Sequence, residues 1–309
     1  MSRKIGIVFP GQGSQYPGMG KDLYDAFPEV RDIFAIGNAA TGMNLEKICF
    51  DVPMETLTET LNCQVALFAA GLSCLTALRK GFIFEPVFAA GHSLGEYTAF
   101  ASAGAFSVED GFALVSKRAG FMKAAAGENP GIMAAIIGKT LEDVTVLVSG
   151  FAGVYISNIN STGQIVVGGA IASMKGFIAE CELSNVRMVP LKVSGAFHTP
   201  LMDGASRSLA AEIDKIAVNT PLFPVYTNWN AEPADSPDKV REALKKQVVS
   251  PVQWVKTVEN FPGRENLAVI ELGPKSVLSG LIRKINPSIA VSGVENIETL
   301  EKTMELLRR

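Results

Sequence analysis

The stretch AAGHSLGEYTAF, residues 89–100, sets Ser93 between Gly91 and Gly95, directly after an apolar run. G-x-S-x-G between a strand and a helix is the pattern of a nucleophile elbow. The glycines let the two backbones approach closely, and the serine hydroxyl projects from the turn. The N-terminus of the following helix offers unpaired N–H groups and a partial positive charge, and both stabilise an oxyanion. Glycine and serine are also common turn residues, so a tight turn that contains a serine is the competing reading.

A serine nucleophile needs a base. The chain has only two histidines. His92 is adjacent to Ser93, so its ring should point away from the hydroxyl. That leaves His198, in SGAFHTPLM. A lone histidine is ordinarily a packed or surface residue, but without His198 the serine has no base. Three groups are open for orienting the imidazole: Asp203, Glu271 at a strand end, or a backbone carbonyl. The task is only to fix the tautomer and ring angle.

Arg118 follows Val115 by three positions and precedes Met122 by four, which places it on or beside the apolar stripe of a helix. An arginine there either snorkels to solvent beside a surface carboxylate or meets an anion. In the second case its fork would bind a substrate carboxylate bidentately. FPGQGSQYPGMG, residues 9–20, lacks the Gly-Lys-Ser/Thr of a phosphate loop, and Gly11-x-Gly13 lacks a third glycine at position 16. Gln12, just after a strand, would instead lend a backbone N–H to an oxyanion hole.

Buried strands read from KIGIVF (residues 4–9) and VFAAG (87–91), and a helix from EYTAFASAGAF (96–106). Ser107 with Asp110 is an N-cap signal for a helix running to about Ala125. GIMAAIIG and RMVPLKV read as the outer strands of a β-α-β-β-α-β order. TLEDVTVLVSG and IASMKGFIAECELS are its helices, and VYISNIN and QIVVGGA its strands joined at STG. That order is ferredoxin-like. Further on, PLFPVYTNWN and NLAVIELGP read as strands, and PDKVREALKKQVV and SVLSGLIRKI as helices. The expectation is an α/β body with a mainly parallel sheet, residues 1–127 and 197–309. A ferredoxin-like α+β subdomain, residues 128–196, interrupts it.

Bulk composition fits this architecture. The 309 residues are 48% hydrophobic and 19% charged, with net charge −3. Such a balance supports a large core and does not suggest a nucleic-acid or membrane-surface binder. Cys49, Cys63, Cys74 and Cys181 are scattered without a C-x-x-C pair, so disulfide-rich and zinc readings fail on spacing. The basic start MSRK precedes an apolar run too short for a signal peptide. The longest apolar segment, Val65 to Leu78, falls short of the roughly 20 residues of a membrane span and reads as a buried helix. A soluble cytoplasmic protein is expected.

VFPGQGSQ, GHSLGEY, KRAGFM, NSTGQ, GAFHTPLM and QVVSPVQW, in this order, resemble the malonyl-CoA:acyl-carrier-protein transacylases of type II fatty acid synthesis. The resemblance runs essentially end to end, although GHSLGEY alone also occurs in polyketide synthase acyltransferases. It implies an α/β-hydrolase-like body with a ferredoxin-like insert. It also implies malonyl transfer from malonyl-CoA to the phosphopantetheine thiol of acyl carrier protein, with no metal and no bound cofactor, by a monomer. Ser93 would be the nucleophile and His198 the base, with the N–H groups of Gln12 and Leu94 as oxyanion hole. The main-chain carbonyl of Gln247 would orient His198 in place of Asp203 or Glu271. Arg118 would hold the malonyl carboxylate, and Met122, Asn160 and Phe197 would contact substrate. A phenylalanine before the histidine goes with malonyl rather than methylmalonyl in related enzymes, though one methyl in a pocket is worth only about 1–3 kcal/mol.

Three rivals are weighed against this reading. A serine esterase or thioesterase of the ordinary hydrolase type runs Ser, acid, His, with the histidine near the C-terminal end. An acyltransferase serving a polyketide synthase shares every motif. A binding scaffold that has lost catalysis would be expected to lack the serine, the histidine or the arginine.

Overall fold

The computed structural model describes residues 4–263 and 266–308. Residues 1–3, most of the basic start, lie outside the described residues, as do 264–265 and 309. Among the described residues ten strands run in order: β1 Lys4–Phe9, β2 Phe88–Gly91, β3 Gly131–Ile137, β4 Val154–Ser161, β5 Gln164–Ala170, β6 Met188–Pro190, β7 Val225–Tyr226, β8 Pro233–Ala234, β9 Leu267–Leu272 and β10 Ala290–Val294. They form two sheets. The larger has the order β10-β9-β1-β2-β7-β8, parallel except for the β7–β8 pair. The smaller has the order β4-β5-β3-β6 and is wholly antiparallel, the ferredoxin-like arrangement.

A parallel sheet is buried on both faces, so its strands are apolar on both sides. Ile5, Ile7 and Phe9 of β1 face a large core with the helices Thr60–Gly81 and Val108–Glu128. Val8 faces the opposite way, into a cluster with Phe88, Val269, Trp254 and Ile282. A third core holds the small sheet: Ile136, Ile165 and Val167 pack on Val144, Met174 and Phe177 from its two helices, Leu141–Ser149 and Ile171–Leu183.

Several elements differ from the sequence reading in extent. The strand expected over RMVPLKV is only Met188–Pro190: Leu191 N–H still donates to the Met133 carbonyl at 2.9 Å, but the Val193 N–H then closes a tight turn on the Leu191 carbonyl and takes the chain off the sheet edge. PLFPVYTNWN yields only Val225–Tyr226, after which Ala231 N–H closes a turn on the Thr227 carbonyl. The helix after the elbow stops at Ser102, short of the AGAF tail, where Gly104 takes φ 70°. The apolar segment at Val65 sits inside a 22-residue helix, Thr60–Gly81. By length and composition that helix could cross a bilayer, but 83% of its apolar window is buried in the fold. All four cysteines are buried and free.

The parallel register brings Phe9 opposite Gly91, so β1 and β2 end side by side. Ligand sites in such sheets lie beyond the carboxyl ends of the strands. The loops leaving those two ends carry Gln12 and Ser93. Between them the backbone approach is close. A Cβ on Gly95 would stand 2.0 Å from the Phe9 carbonyl oxygen, and one on Gly91 1.9 Å from the Gly95 carbonyl carbon. Gly95→Ala should therefore cost about 3 kcal/mol or more in denaturant unfolding. Gly120→Ala is the control: this exposed helical position has nothing within 4 Å of an added Cβ and should gain about 0.5–1 kcal/mol.

Candidate active site

Ser93 caps the helix Leu94–Ser102 with φ 52° and ψ −107°, a conformation rare for a residue with a side chain. The strain is held by the sheet and by Asn228, whose Oδ1 accepts from Ser93 N–H at 2.7 Å. Asn228 also donates from Nδ2 to the Gly91 carbonyl at 2.6 Å. The elbow is thus clamped on both sides of Ser93.

The Ser93 Oγ lies 2.7 Å from His198 Nε2. The other ring nitrogen, Nδ1, lies 3.0 Å from the Gln247 carbonyl oxygen. Gln247 ends the helix Pro237–Gln247, where carbonyls lack an i+4 donor; its oxygen accepts from the Ser250 N–H at 3.3 Å and keeps a second lone pair for the ring. That contact gives the proton to Nδ1 and leaves Nε2 facing the serine. Neither candidate acid reaches the ring. Asp203 pairs with Arg207 at the surface, and Glu271 accepts from the N–H groups of Leu278 and Ser279. Among the three options left open by the residues alone, the backbone carbonyl is the one in contact.

His92 turns away from the serine, as adjacency requires. Its Nε2 meets Asn160 Oδ1 at 2.8 Å, so Asn160 enters the site as the partner of His92. In the Gln12 loop the N–H groups of Gly13 and Ser14 are both used, by Gln15 Oε1 and the Gly11 carbonyl. Among the described residues the N–H groups of Gln12 and Leu94 have no hydrogen-bond partner. Gln12 lines a cleft of about 690 Å³ with Thr58, Leu191 and Val193. His198 borders a second one of about 430 Å³ with Tyr155, Pro200 and Pro251.

Arg118 is 1% exposed. Its Nη1 donates to Gln64 Oε1 at 2.6 Å, and its Nη2 donates to Gln247 Oε1 at 2.9 Å and to Ser93 Oγ at 3.0 Å. The Tyr97 ring lies 5.2 Å from the guanidinium carbon. All its hydrogen-bond partners are uncharged, and its Nε has none among the described residues. Met122 is one step removed: its sulfur accepts from Gln64 Nε2 at 3.6 Å. Phe197 is buried in the main core beside the histidine segment.

Four participants lie outside the sequence reading: Gln64, Glu96, Asn228 and the Gln247 side chain. Only Glu96 carried a signal, as a carboxylate in an otherwise apolar helix; it is fully buried. Its Oε1 accepts from Asn228 N–H at 3.1 Å and its Oε2 accepts from Gln247 Nε2. Burial pushes this carboxyl up to about 7, while its hydrogen bonds and Arg118 pull it down. His198 is lowered to about 3, first by burial and then by the Arg118 charge. Among the described residues no group of three or more His, Cys, Asp or Glu is placed to hold a metal ion.

An elbow serine on an imidazole, before a helix N-terminus and under a buried guanidinium, defines a serine acyl-group-transfer site on an α/β fold. Residues 7–302 match the acyl transferase domain family, and the chain belongs to that family. The malonyl CoA-acyl carrier protein transacylase of Bacillus subtilis strain 168 is 36% identical, over 99% of this chain and 98% of the relative. The solved malonyl-CoA:acyl carrier protein transacylase of Xanthomonas oryzae pv. oryzae superposes with a TM-score of 0.94 at 35% identity, covering 99% of both chains. A malonyl-transacylase solved in complex with its type II polyketide synthase acyl carrier protein gives 0.91 at 33% identity, over 98% of this chain and 99% of that one.

The lowered His198 has a measurable consequence. Followed by NMR of the ring, the imidazole should stay neutral as pH falls through 6.5 and take a proton only near 3. The unfolded chain protonates at 6.5, so this group's contribution to stability is full above 6.5 and is lost as pH falls toward 3. Denaturant midpoints of the parent and His198→Gln should accordingly converge across that window.

Proposed function

We propose that this protein moves malonyl from malonyl-CoA to the phosphopantetheine thiol of acyl carrier protein through a malonyl-Ser93 ester, supplying fatty acid synthesis. The observation that carries the reading is the buried Arg118, a cation with only neutral hydrogen-bond partners, 3.0 Å from the nucleophile oxygen. A desolvated charge placed there favours an acyl group that brings its own anion. Family membership and the named relatives support the same reaction.

In the mechanism, the free carboxylate of the malonyl group takes up Arg118, which releases its hold on Ser93 Oγ. The Ser93 oxygen attacks the thioester carbonyl as its proton passes to His198 Nε2. The oxyanion is held by the N–H groups of Gln12 and Leu94. The C–S bond breaks, and His198 returns the proton to the departing coenzyme A thiol. The thiol of the carrier's phosphopantetheine then attacks the ester, giving its proton to His198, and Ser93 leaves with that proton. The kinetics are ping-pong. The carboxylate also offsets the Arg118 charge that depresses His198, so it makes the base stronger when the correct acyl group arrives. Asn160, Met122 and Phe197 shape the acyl pocket, Asn160 through His92 and Met122 through Gln64.

The working form is a cytoplasmic monomer that needs no resident cofactor. It divides into a body, 1–127 and 197–309, and an insert, 128–196. The active site sits where the two meet. A polyketide role is the second reading, favoured by the structural relative solved with a polyketide synthase carrier protein.

Intact mass after brief incubation with malonyl-CoA should show a malonyl adduct on the parent and none on Ser93→Ala. Addition of acyl carrier protein bearing phosphopantetheine should discharge it. Release of coenzyme A without an adduct would favour a thioesterase. Arg118→Ala should slow malonyl transfer far more than acetyl transfer; equal losses would remove the carboxylate clamp from the mechanism.

A further inference from the structure

Glu96 lines neither cleft and its side chain makes no hydrogen bond to Ser93 or His198, yet it is a fully buried carboxylate in the turn after Ser93. Its contacts converge on one residue. Gln247 Nε2 donates to Glu96 Oε2 and, at 2.7 Å, to the Ser93 carbonyl. Gln247 Oε1 accepts from Arg118 Nη2 at 2.9 Å, and the Gln247 main-chain oxygen meets His198 Nδ1 at 3.0 Å. The same glutamine therefore touches the nucleophile's own backbone, the base and the arginine.

An amide is ambiguous, because its oxygen and nitrogen ends have the same shape. Here the ambiguity is removed from both ends. An ionised carboxylate only accepts, and a guanidinium only donates. With Glu96 on one side and Arg118 on the other, only one orientation satisfies both. The flipped amide would aim a donor at Arg118 and an oxygen at the Ser93 carbonyl and the carboxylate. We infer that Glu96 is a positioning residue for acyl transfer: it holds the Gln247 amide in the one orientation that orders Arg118, and with it the segment whose carbonyl aims His198.

The inference rests on the proposed reaction only for the identity of the acyl group. The substitution Glu96→Gln keeps the shape but offers one acceptor where two donors, Asn228 N–H and Gln247 Nε2, now bind. Either one of those bonds is lost, or Gln247 flips against Arg118. Protonating Glu96 has the same effect on its acceptor capacity. The groups facing it are Arg118 from the helix Val108–Glu128 and Tyr97 on its own helix, together with the uncharged Asn228 and Gln247. His92 and His198 are both pushed below the usual histidine value. Glu96 is then the group at the site that titrates near neutrality.

The experiment uses the full chain and two readouts. Labelling of Ser93 by a fluorophosphonate probe, followed by mass, reads serine and histidine without any acyl donor. In the parent its rate should fall as pH drops through about 7. In folded Glu96→Gln the rate should be lower by about 10–100-fold and lose that acid limb. Steady-state transfer should then separate the two arms of the network. With malonyl-CoA, kcat falls and KM rises. With acetyl-CoA, which has no carboxylate for Arg118, only kcat falls. A Glu96→Gln enzyme that melts like the parent and labels within about twofold of it overturns the inference. So does a parent profile that is flat between about pH 5.5 and 8, a measurement that stands even if the variant does not fold. A parent that labels in a Glu96-dependent way but takes no malonyl group refutes the proposed reaction and leaves the positioning role intact.

Discussion

The site is organised around the burial of one guanidinium. Removing a cation from water is costly unless hydrogen bonds replace its hydration. Arg118 receives that replacement from three elements. Gln64 comes from the helix Thr60–Gly81, Ser93 from the elbow, and Gln247 from the end of the helix Pro237–Gln247. Tyr97 adds the face of its ring. The hydrogen-bond partners are neutral, so the charge is solvated by dipoles, and the one carboxylate that acts on it, Glu96, is separated from it by the Gln247 amide. That field depresses His198, and in the proposed reaction it also attracts the anionic acyl group. In that proposal one desolvated charge links substrate choice to the strength of the base.

The field acts on the reacting atoms because the sheet delivers them together. β1 and β2 end level with each other, and the Gly91–Gly95 elbow lets the helix after Ser93 press against the carbonyl of Phe9. On the two loops the N–H groups of Gln12 and Leu94 have no hydrogen-bond partner among the described residues. The small sheet contributes Asn160, and the pairing of Asn158 with Val252 ties its β4 to the segment after Gln247. The helix end at Gln247 makes two contacts, since its main-chain carbonyl meets the imidazole while its side chain accepts from the arginine.

Much of this was readable from residue types and order. The G-x-S-x-G elbow, the count of two histidines and the spacing of Arg118 on an apolar stripe pointed to nucleophile, base and clamp, because each depends on local chemistry. The β-α-β-β-α-β insert was legible because its hydrophobic periods alternate cleanly. Strand lengths were less so. A tight turn at Leu191–Val193 ends a ladder that composition would have continued, and a turn at Thr227–Ala231 cuts the strand at Tyr226. The residues themselves also left three groups equally able to orient His198.

By itself, the sequence determined which groups could do chemistry: one serine with room to project, one histidine free to serve it, and one arginine placed to be buried. Tertiary structure alone decided who surrounds them. Gln64, Glu96, Asn228 and Gln247 are scattered along the chain, and no local spacing relates them. Their roles arise because hydrogen-bond geometry and desolvation act through space, and only the folded chain brings a carboxylate, an amide and a guanidinium into one line.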